Sequence, residues 1–301
     1  GCCHQGRAVR PPGVPDLSRK VCLVAGASRG VGRGIARALG EAGATVVVTA
    51  RSSETGPRTD QRREALEDTA REVDLAGGRG HHYLCDHTRE AEVDAMVHWV
   101  LRRFGRIDVA VSSVWGGNEG YDGVRYPDGA AWGTAFWRRG LAPVRHNLET
   151  GPLAGLILAR AVAPAMVSAK GGLLALISFD TEAYLGDLFY DLAKAATNRL
   201  ALAMAEELRP HGVTALALAP GLVRTERVVE AGMAGEAGES PLYAGRALAA
   251  LAGDPGVAAL AGQVLHAADL AGRYGFTDED GSRPGRYRPD GLDVSSRPRI
   301  T

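Results

Sequence analysis

From residue 20 onward, short apolar runs alternate with stretches whose apolar residues recur every three or four positions. The runs "VCLVAGA" (21–27), "TVVVTA" (45–50), "HYLCD" (82–86), "IDVAVSS" (107–113), "GLLALIS" (172–178), "VTALALAP" (213–220) and "GQVLHAA" (262–268) read as strands. Helices are predicted between them, over 31–43 closed by Gly43, 60–76, 90–105 ending at glycine, 146–169, and 188–209 ending before Pro210. Pro164 is expected to kink or interrupt the fourth helix, because proline has no amide proton to continue the ladder. Continuous apolar strands separated by helices imply a parallel sheet covered on both faces, with right-handed crossovers. The expected fold class is therefore α/β, a doubly wound sheet of about seven parallel strands in a single domain over 18–271. A flexible leader is expected over 1–17 and an irregular Arg-, Pro- and Gly-rich tail over 272–301.

The first strand and first helix are joined by "AGASRGVGRG". Gly26, Gly30 and Gly32 have the spacing G-x-x-x-G-x-G, which lets backbone approach a pyrophosphate while the helix N-terminus offers amide donors. A glycine cluster alone can be a plain turn, but its place between strand and helix is the one that dinucleotide binding requires. The second strand ends "TARS", with Arg51 where an acidic residue would hold a ribose 2′-hydroxyl. Arg51 and Arg29 together suit a 2′-phosphate, so NADP(H) is the expected cofactor.

The stretch "YDLAK" puts Tyr190 four residues before Lys194, one above the other on a single helix face. A nearby ammonium favours phenolate, so this pair reads as a general acid or base; a solvated Tyr–Lys pair is the plainer alternative on spacing alone.

The formal net charge of +0 gives no basic face for nucleic acid or a membrane surface, and no partner of either kind is expected. No apolar run reads as long enough to span a membrane. Cys22 and Cys85 lie in strand-like runs and read as small core residues. Cys2, Cys3 and His4 are followed by no spaced ligand set, so no metal site is expected, and a cytoplasmic location fits.

In combination, "GASRGVG" (26–32), Asp86, "DVAVSS" (108–113), "YDLAK" (190–194) and "APGLVRTE" (219–226) resemble the short-chain dehydrogenase/reductase family over about residues 18–268. "AFW" (135–137) and "DLAGRYGFTDEDG" (269–281) are similar to its dehydrogenase/reductase member 1 subfamily. The resemblance implies a Rossmann-type fold and an oxidoreductase acting by hydride transfer. It gives Tyr190 the proton transfer and gives Lys194 the nicotinamide ribose and a lowered Tyr190 pKa. It implies cofactor contacts by Gly26, Ser28, Arg29, Gly30, Val31 and Gly32, by Arg51 and Ser52, and by Asp86 and His87 at the adenine. It further implies contacts by Ser112 and Ser113, and by Pro220, Gly221, Val223 and Thr225 at the nicotinamide end. Homodimers or homotetramers built on the 188–209 helix are also implied.

Three departures stand out. The family's serine register falls on Phe179, leaving Ser178, twelve residues before Tyr190, as the expected partner of the substrate oxygen, with Thr181 in reserve. The family's asparagine position falls on Gly151, with Asn147 one turn earlier, either in that role or as a helix-start cap. "SSVWGG" replaces the usual "NNAG" and puts Trp115 near the nicotinamide.

Two long connections, 114–145 and 222–245, emerge on the substrate side. The first carries three of the four tryptophans, Trp115, Trp132 and Trp137, besides Tyr121, Tyr126 and Phe136. These rings read either as packing for the loop itself or as an apolar wall for a bulky, polycyclic ligand. The glycines of the second suit a mobile lid. His81, His82 and His87 read as surface or turn residues. The expected function is an NADPH-dependent carbonyl reductase or alcohol dehydrogenase. Non-redox dehydration or cyclisation on the same scaffold, and cofactor sensing without turnover, are the alternatives.

Overall fold

The computed structural model describes residues 13–122, 124–180, 184–232 and 238–287. Seven strands form one parallel sheet: β1 Val21–Ala25, β2 Thr45–Ala50, β3 Arg79–Leu84, β4 Val109–Ser112, β5 Gly172–Ile177, β6 Val213–Ala219 and β7 Val264–His266. Their order is β3-β2-β1-β4-β5-β6-β7. The winding reverses between β1 and β4, which opens a crevice beyond the carboxyl ends of those strands.

Two cores lie on opposite faces of the sheet. Alternate strand residues feed them: Cys22 and Val24 of β1 enter one, Val21, Leu23 and Ala25 the other. The first core is covered by α1 (Gly30–Glu41), α2 (Leu66–Leu75), α8 (Pro241–Gly253) and α9 (Ala267–Tyr274). The second is covered by α3 (Glu90–Phe104), α5 (Ala154–Ala169) and α6 (Leu188–Leu208). Gly105 closes α3 in the left-handed conformation that glycine adopts without strain. α1 and α8 pack backbone to backbone: a Cβ on Gly34 would stand 2.2 Å from the Pro241 carbonyl carbon.

The structure corrects several expectations. β3 spans Arg79–Leu84 rather than 82–86, and its side chains are half-buried or exposed, because an edge strand has little apolar demand to reveal it. His81 packs on Phe104 at 5.0 Å, and His87 is buried rather than a surface residue. The fourth helix does not break at Pro164. It starts earlier, as α4 (Ala142–Leu148), widens into a π-turn (Glu149–Leu153) around Pro152, and runs on as α5 through Pro164. The π-turn absorbs the hydrogen bond that Pro152 cannot donate.

The combined helix Ala142–Ala169 has the length and mean hydropathy (1.6) of a membrane span, contrary to the reading that no run does. Its inner residues Ile157, Leu158, Val162 and Met166 are buried in the second core.

Of the leader, residues 13–17 are described, and Leu17 is buried with its amide donating to the Ala42 carbonyl at 2.8 Å. The tail is helical to Tyr274, then anchored by buried Phe276 and Asp278. Cys22 and Cys85 are buried and unbridged; Cys2, Cys3 and His4 lie outside the described residues.

Candidate active site

The glycine loop folds as its spacing requires. Gly26 and Gly30 take φ of +75° and +57°, and a Cβ on Gly32 would lie 2.2 Å from the Gly26 carbonyl oxygen. The Gly26 position is also hemmed in by Ser113, whose carbonyl oxygen would be 2.6 Å from a Cβ there. α1 therefore starts with its amides facing a cradle that a side chain would fill. Ser28 and Ser112 are buried at its edge, and Val31 packs on the first core.

Arg29, the residue before α1, is half-buried. Among the described residues its guanidinium has neither a hydrogen bond nor an ion pair. Burial lowers its pKa first, and the neighbouring Arg227 and Arg62 add to that. Such a guanidinium gains most from an incoming phosphate. Arg51, at the end of β2, is ion-paired with Glu119 of the 114–145 connection. The glycine cradle and these guanidiniums fit the phosphates of a dinucleotide.

Other expected contacts are placed differently. Ser52 is buried and bonded within its own loop, to Thr59 Oγ1 at 3.3 Å and Thr59 N at 3.1 Å. Burial raises the Asp86 carboxyl, but two hydrogen bonds from Thr88, with Arg51 and Arg89, outweigh it and hold the pKa below the usual range. His87 turns inward, its Nε2 2.8 Å from Thr49 Oγ1, its Nδ1 without a hydrogen-bond partner among the described residues, and its pKa lowered by burial to about 4. It is therefore neutral at pH 7.

At the other end of the crevice, Pro220 and Gly221 line a recess with Phe179 and Tyr287. Glu239 lies beneath Gly221, and burial pushes its carboxyl up to about 7. Val223 pairs with Glu239 across a short parallel bridge. Thr225 caps α7 (Glu226–Glu230), which starts the second substrate-side connection.

Tyr190 and Lys194 do share one face of α6. Tyr190 meets Trp115 edge-on at 5.3 Å and Trp132 at 5.4 Å. The Lys194 ammonium lies 4.1 Å above the Trp115 ring and 5.3 Å from that of Tyr190. Burial dominates both groups. It lowers Lys194 to about 8. It also raises Tyr190 above its ordinary value, with Tyr126 and Asp191 adding to the rise. Desolvation of the buried phenol acts against the depression expected from Lys194.

A recess in front of Tyr190 is lined by Trp115, Tyr126, Arg139, Asn147 and Asp187, among others. Asn147 is buried there near the end of α4, not at a helix start, and its Oδ1 would be 2.9 Å from a Cβ on Gly117. The Trp115 ring fills the space before Gly151, where a Cβ would come within 3.2 Å of it.

Ser178 does not join this group. It is buried, with its hydroxyl donating to the Lys194 carbonyl at 3.2 Å. Thr181 lies outside the described residues. Trp137 also stays out of the recess: it is 72% exposed and packs against Phe136.

The sequence reading does not single out Asp187 and Arg139. Asp187 caps α6, its Oδ1 accepting from the amides of Phe189 and Tyr190 at 3.0 and 3.1 Å. Arg139 donates to its other oxygen at 2.9 Å, both side chains being 4% exposed. This pair fastens the 114–145 connection to the helix that carries Tyr190. An aspartate just before a helical run was a visible capping signal; Arg139 gave none.

The sequence profile of the short chain dehydrogenases matches residues 20–234 of this chain. The chain belongs to that family. The mouse dehydrogenase/reductase SDR family member 1 is 38% identical over 292 residues, covering 89% of this chain and 86% of the relative. Its human counterpart is 34% identical over 283 residues, 88% and 85% respectively. Among solved structures, a metagenomic short-chain oxidoreductase in complex with NADP is 30% identical. It superimposes with a TM-score of 0.63 over 83% of this chain and 97% of that one. The family and these relatives make the chain an NAD(P)-dependent oxidoreductase on a Rossmann-type fold.

Proposed function

We propose that the chain is an NADPH-dependent carbonyl reductase, running as an alcohol dehydrogenase in reverse, with Tyr190 as general acid/base. The carrying observation is the grouping of Tyr190, Trp115 and Asn147 around one recess, with the Lys194 ammonium over the Trp115 ring and beside that of Tyr190. A nicotinamide held beside the recess would supply the hydride for the carbonyl carbon. Tyr190 holds its proton firmly, because burial disfavours phenolate, and delivers it to the carbonyl oxygen. Lys194, charged below about pH 8, faces the same space and favours negative charge developing on that oxygen. Asn147 offers a polar contact beside the rings of Trp115 and Tyr190. Arg29, unpartnered among the described residues, together with Arg51 at the end of β2, supports NADP(H) as cofactor.

The rings of Trp115, Tyr126 and Tyr190 in the lining suit an apolar ketone or alcohol. Trp115, Tyr126 and Arg139 crowd the recess, so a bulky or polycyclic substrate requires the 114–145 connection to move outward. Loss of NADPH absorbance in step with loss of substrate, across a panel of carbonyl compounds, tests this reading. Substrate conversion without NADPH oxidation would favour dehydration or cyclisation, and cofactor binding without turnover would favour sensing. Equal affinity of the wild type for NADPH and NADH would remove the cofactor assignment.

A homodimer or homotetramer built on α6 is part of the same proposal. Leu188, Leu192 and Leu202 of α6, with Leu153 at the end of the π-turn and Leu156 in the first turn of α5, are all more than a third exposed: 39%, 45%, 37%, 47% and 42%. An apolar face of this kind on adjoining helices suits a second copy. A monomer mass by light scattering at micromolar concentration overturns it. A cytoplasmic location and a small-molecule substrate complete the proposal.

A further inference from the structure

Two carboxylates of the chain occupy the positions that the crevice offers to phosphate. Glu226, the first residue of α7, reaches the first residue of α1 from 196 positions away, and its carboxylate accepts from the Gly30 amide at 2.9 and 3.3 Å. α1 has no side-chain cap of its own and no acidic residue in its first turn. The Thr225 methyl group follows, 3.4 Å from where a Gly30 Cβ would be. Glu119 holds the Arg51 guanidinium and also lies 3.4 Å from His146 Nε2.

The two carboxylates are mechanically joined. Arg227, next to Glu226, donates to the carbonyl of Asn118, next to Glu119, and pairs with Asp60. The two substrate-side connections are thus tied to each other and to the cofactor crevice by these four consecutive-pair residues.

We propose that Glu226 and Glu119 are internal stand-ins for the cofactor's phosphates, Glu226 for a pyrophosphate oxygen and Glu119 for the 2′-phosphate. Each must leave its donor when the dinucleotide arrives, so each sets affinity, and Glu119 sets how strongly NADP(H) is preferred over NAD(H). The Glu119 half rests on the NADP(H) reading above; the Glu226 half does not. Because both sit on the substrate-side connections, their displacement frees those connections from the crevice as the cofactor seats.

The test is calorimetric binding of NADPH and of NADH to the full chain, without substrate. Glu226→Gln keeps the size and still accepts from Gly30, but removes the charge. It should tighten NADPH and NADH alike, by roughly three- to thirtyfold. It should also lower the melting temperature of the cofactor-free chain, since a charge favourable at a helix N-terminus is lost. Opposite signs of affinity and stability are not expected from a residue that merely holds the fold. Glu119→Gln should tighten NADPH by roughly two- to fivefold and leave NADH unchanged. Unchanged or weaker NADPH binding by Glu226→Gln overturns its half. Glu119→Gln moving both cofactors equally, or neither, overturns the other. Equal wild-type affinities remove the NADP(H) reading and the Glu119 half with it, and leave the Glu226 result to be judged alone.

Discussion

The glycine loop and the 114–145 connection meet at the same crevice but are built differently. The loop is held by backbone against backbone: Gly26 and Gly32 are where they are because no side chain fits, and Gly30 because its φ of +57° is left-handed. The connection is held by side chains that find partners far along the chain, as Arg139 finds Asp187, Glu119 finds Arg51, and Trp115 finds Tyr190 and Lys194. Steric exclusion leaves a pattern in the local sequence. Long-range pairing leaves almost none, because any arginine or aspartate could be the partner.

The largest expected effect probes the place where the two regions serve one reaction. Tyr190→Phe keeps the ring and its contacts with Trp115 and Trp132 but removes the acidic proton. Turnover should fall by roughly 10²–10⁴-fold, with cofactor affinity little changed. Near wild-type turnover with cofactor bound would take Tyr190 out of the chemistry.

Arg139→Met asks whether one ion pair really fastens the connection. It leaves the Asp187 carboxylate buried without its cation, which costs about 3 kcal/mol where such pairs are broken. Denaturant unfolding measures this. A loss below about 0.5 kcal/mol would mean that the two α6 amides alone satisfy Asp187.

Gly32→Ala is the corresponding test of the loop. Its Cβ meets the Gly26 carbonyl, so the loop must shift, at about 1–3 kcal/mol, with weaker cofactor binding. Unchanged affinity would show that the loop yields more easily than its contacts imply.

A smaller, pH-dependent effect is expected at Lys194. Its pKa falls from 10.5 to about 8 on folding, so folding carries a penalty while the lysine is charged in both states, below about pH 8. The penalty fades as pH rises from 8 toward 10.5, because the unfolded chain then binds more protons than the folded one. Lys194→Met should therefore raise the melting temperature at pH 7 and do so much less at pH 10. The same gain at both values would refute the titration argument.

The smallest effect is expected from Trp137→Ala. Its ring is exposed and away from Tyr190, so stability and turnover should stay within about 0.5 kcal/mol of wild type.

The sequence by itself determined the sheet, the order of its strands along the chain, the glycine cradle, and Tyr190 and Lys194 sharing one helix face. Strands buried on both faces are continuously apolar, and an i, i+4 pair needs only a helix. Boundaries were less legible where burial is partial, as at the exposed edge strand β3, or where two prolines compete, as Pro152 and Pro164 do. The tertiary structure decided the rest. It buried Ser178 on the Lys194 carbonyl, turned Trp137 outward and Trp115 inward, and drew Asn147 to the recess. It also pushed the Tyr190 pKa up, because a buried phenol loses the water that would solvate its phenolate. Desolvation and long-range charge pairing depend on what the whole chain brings together in space, and no window of sequence contains that.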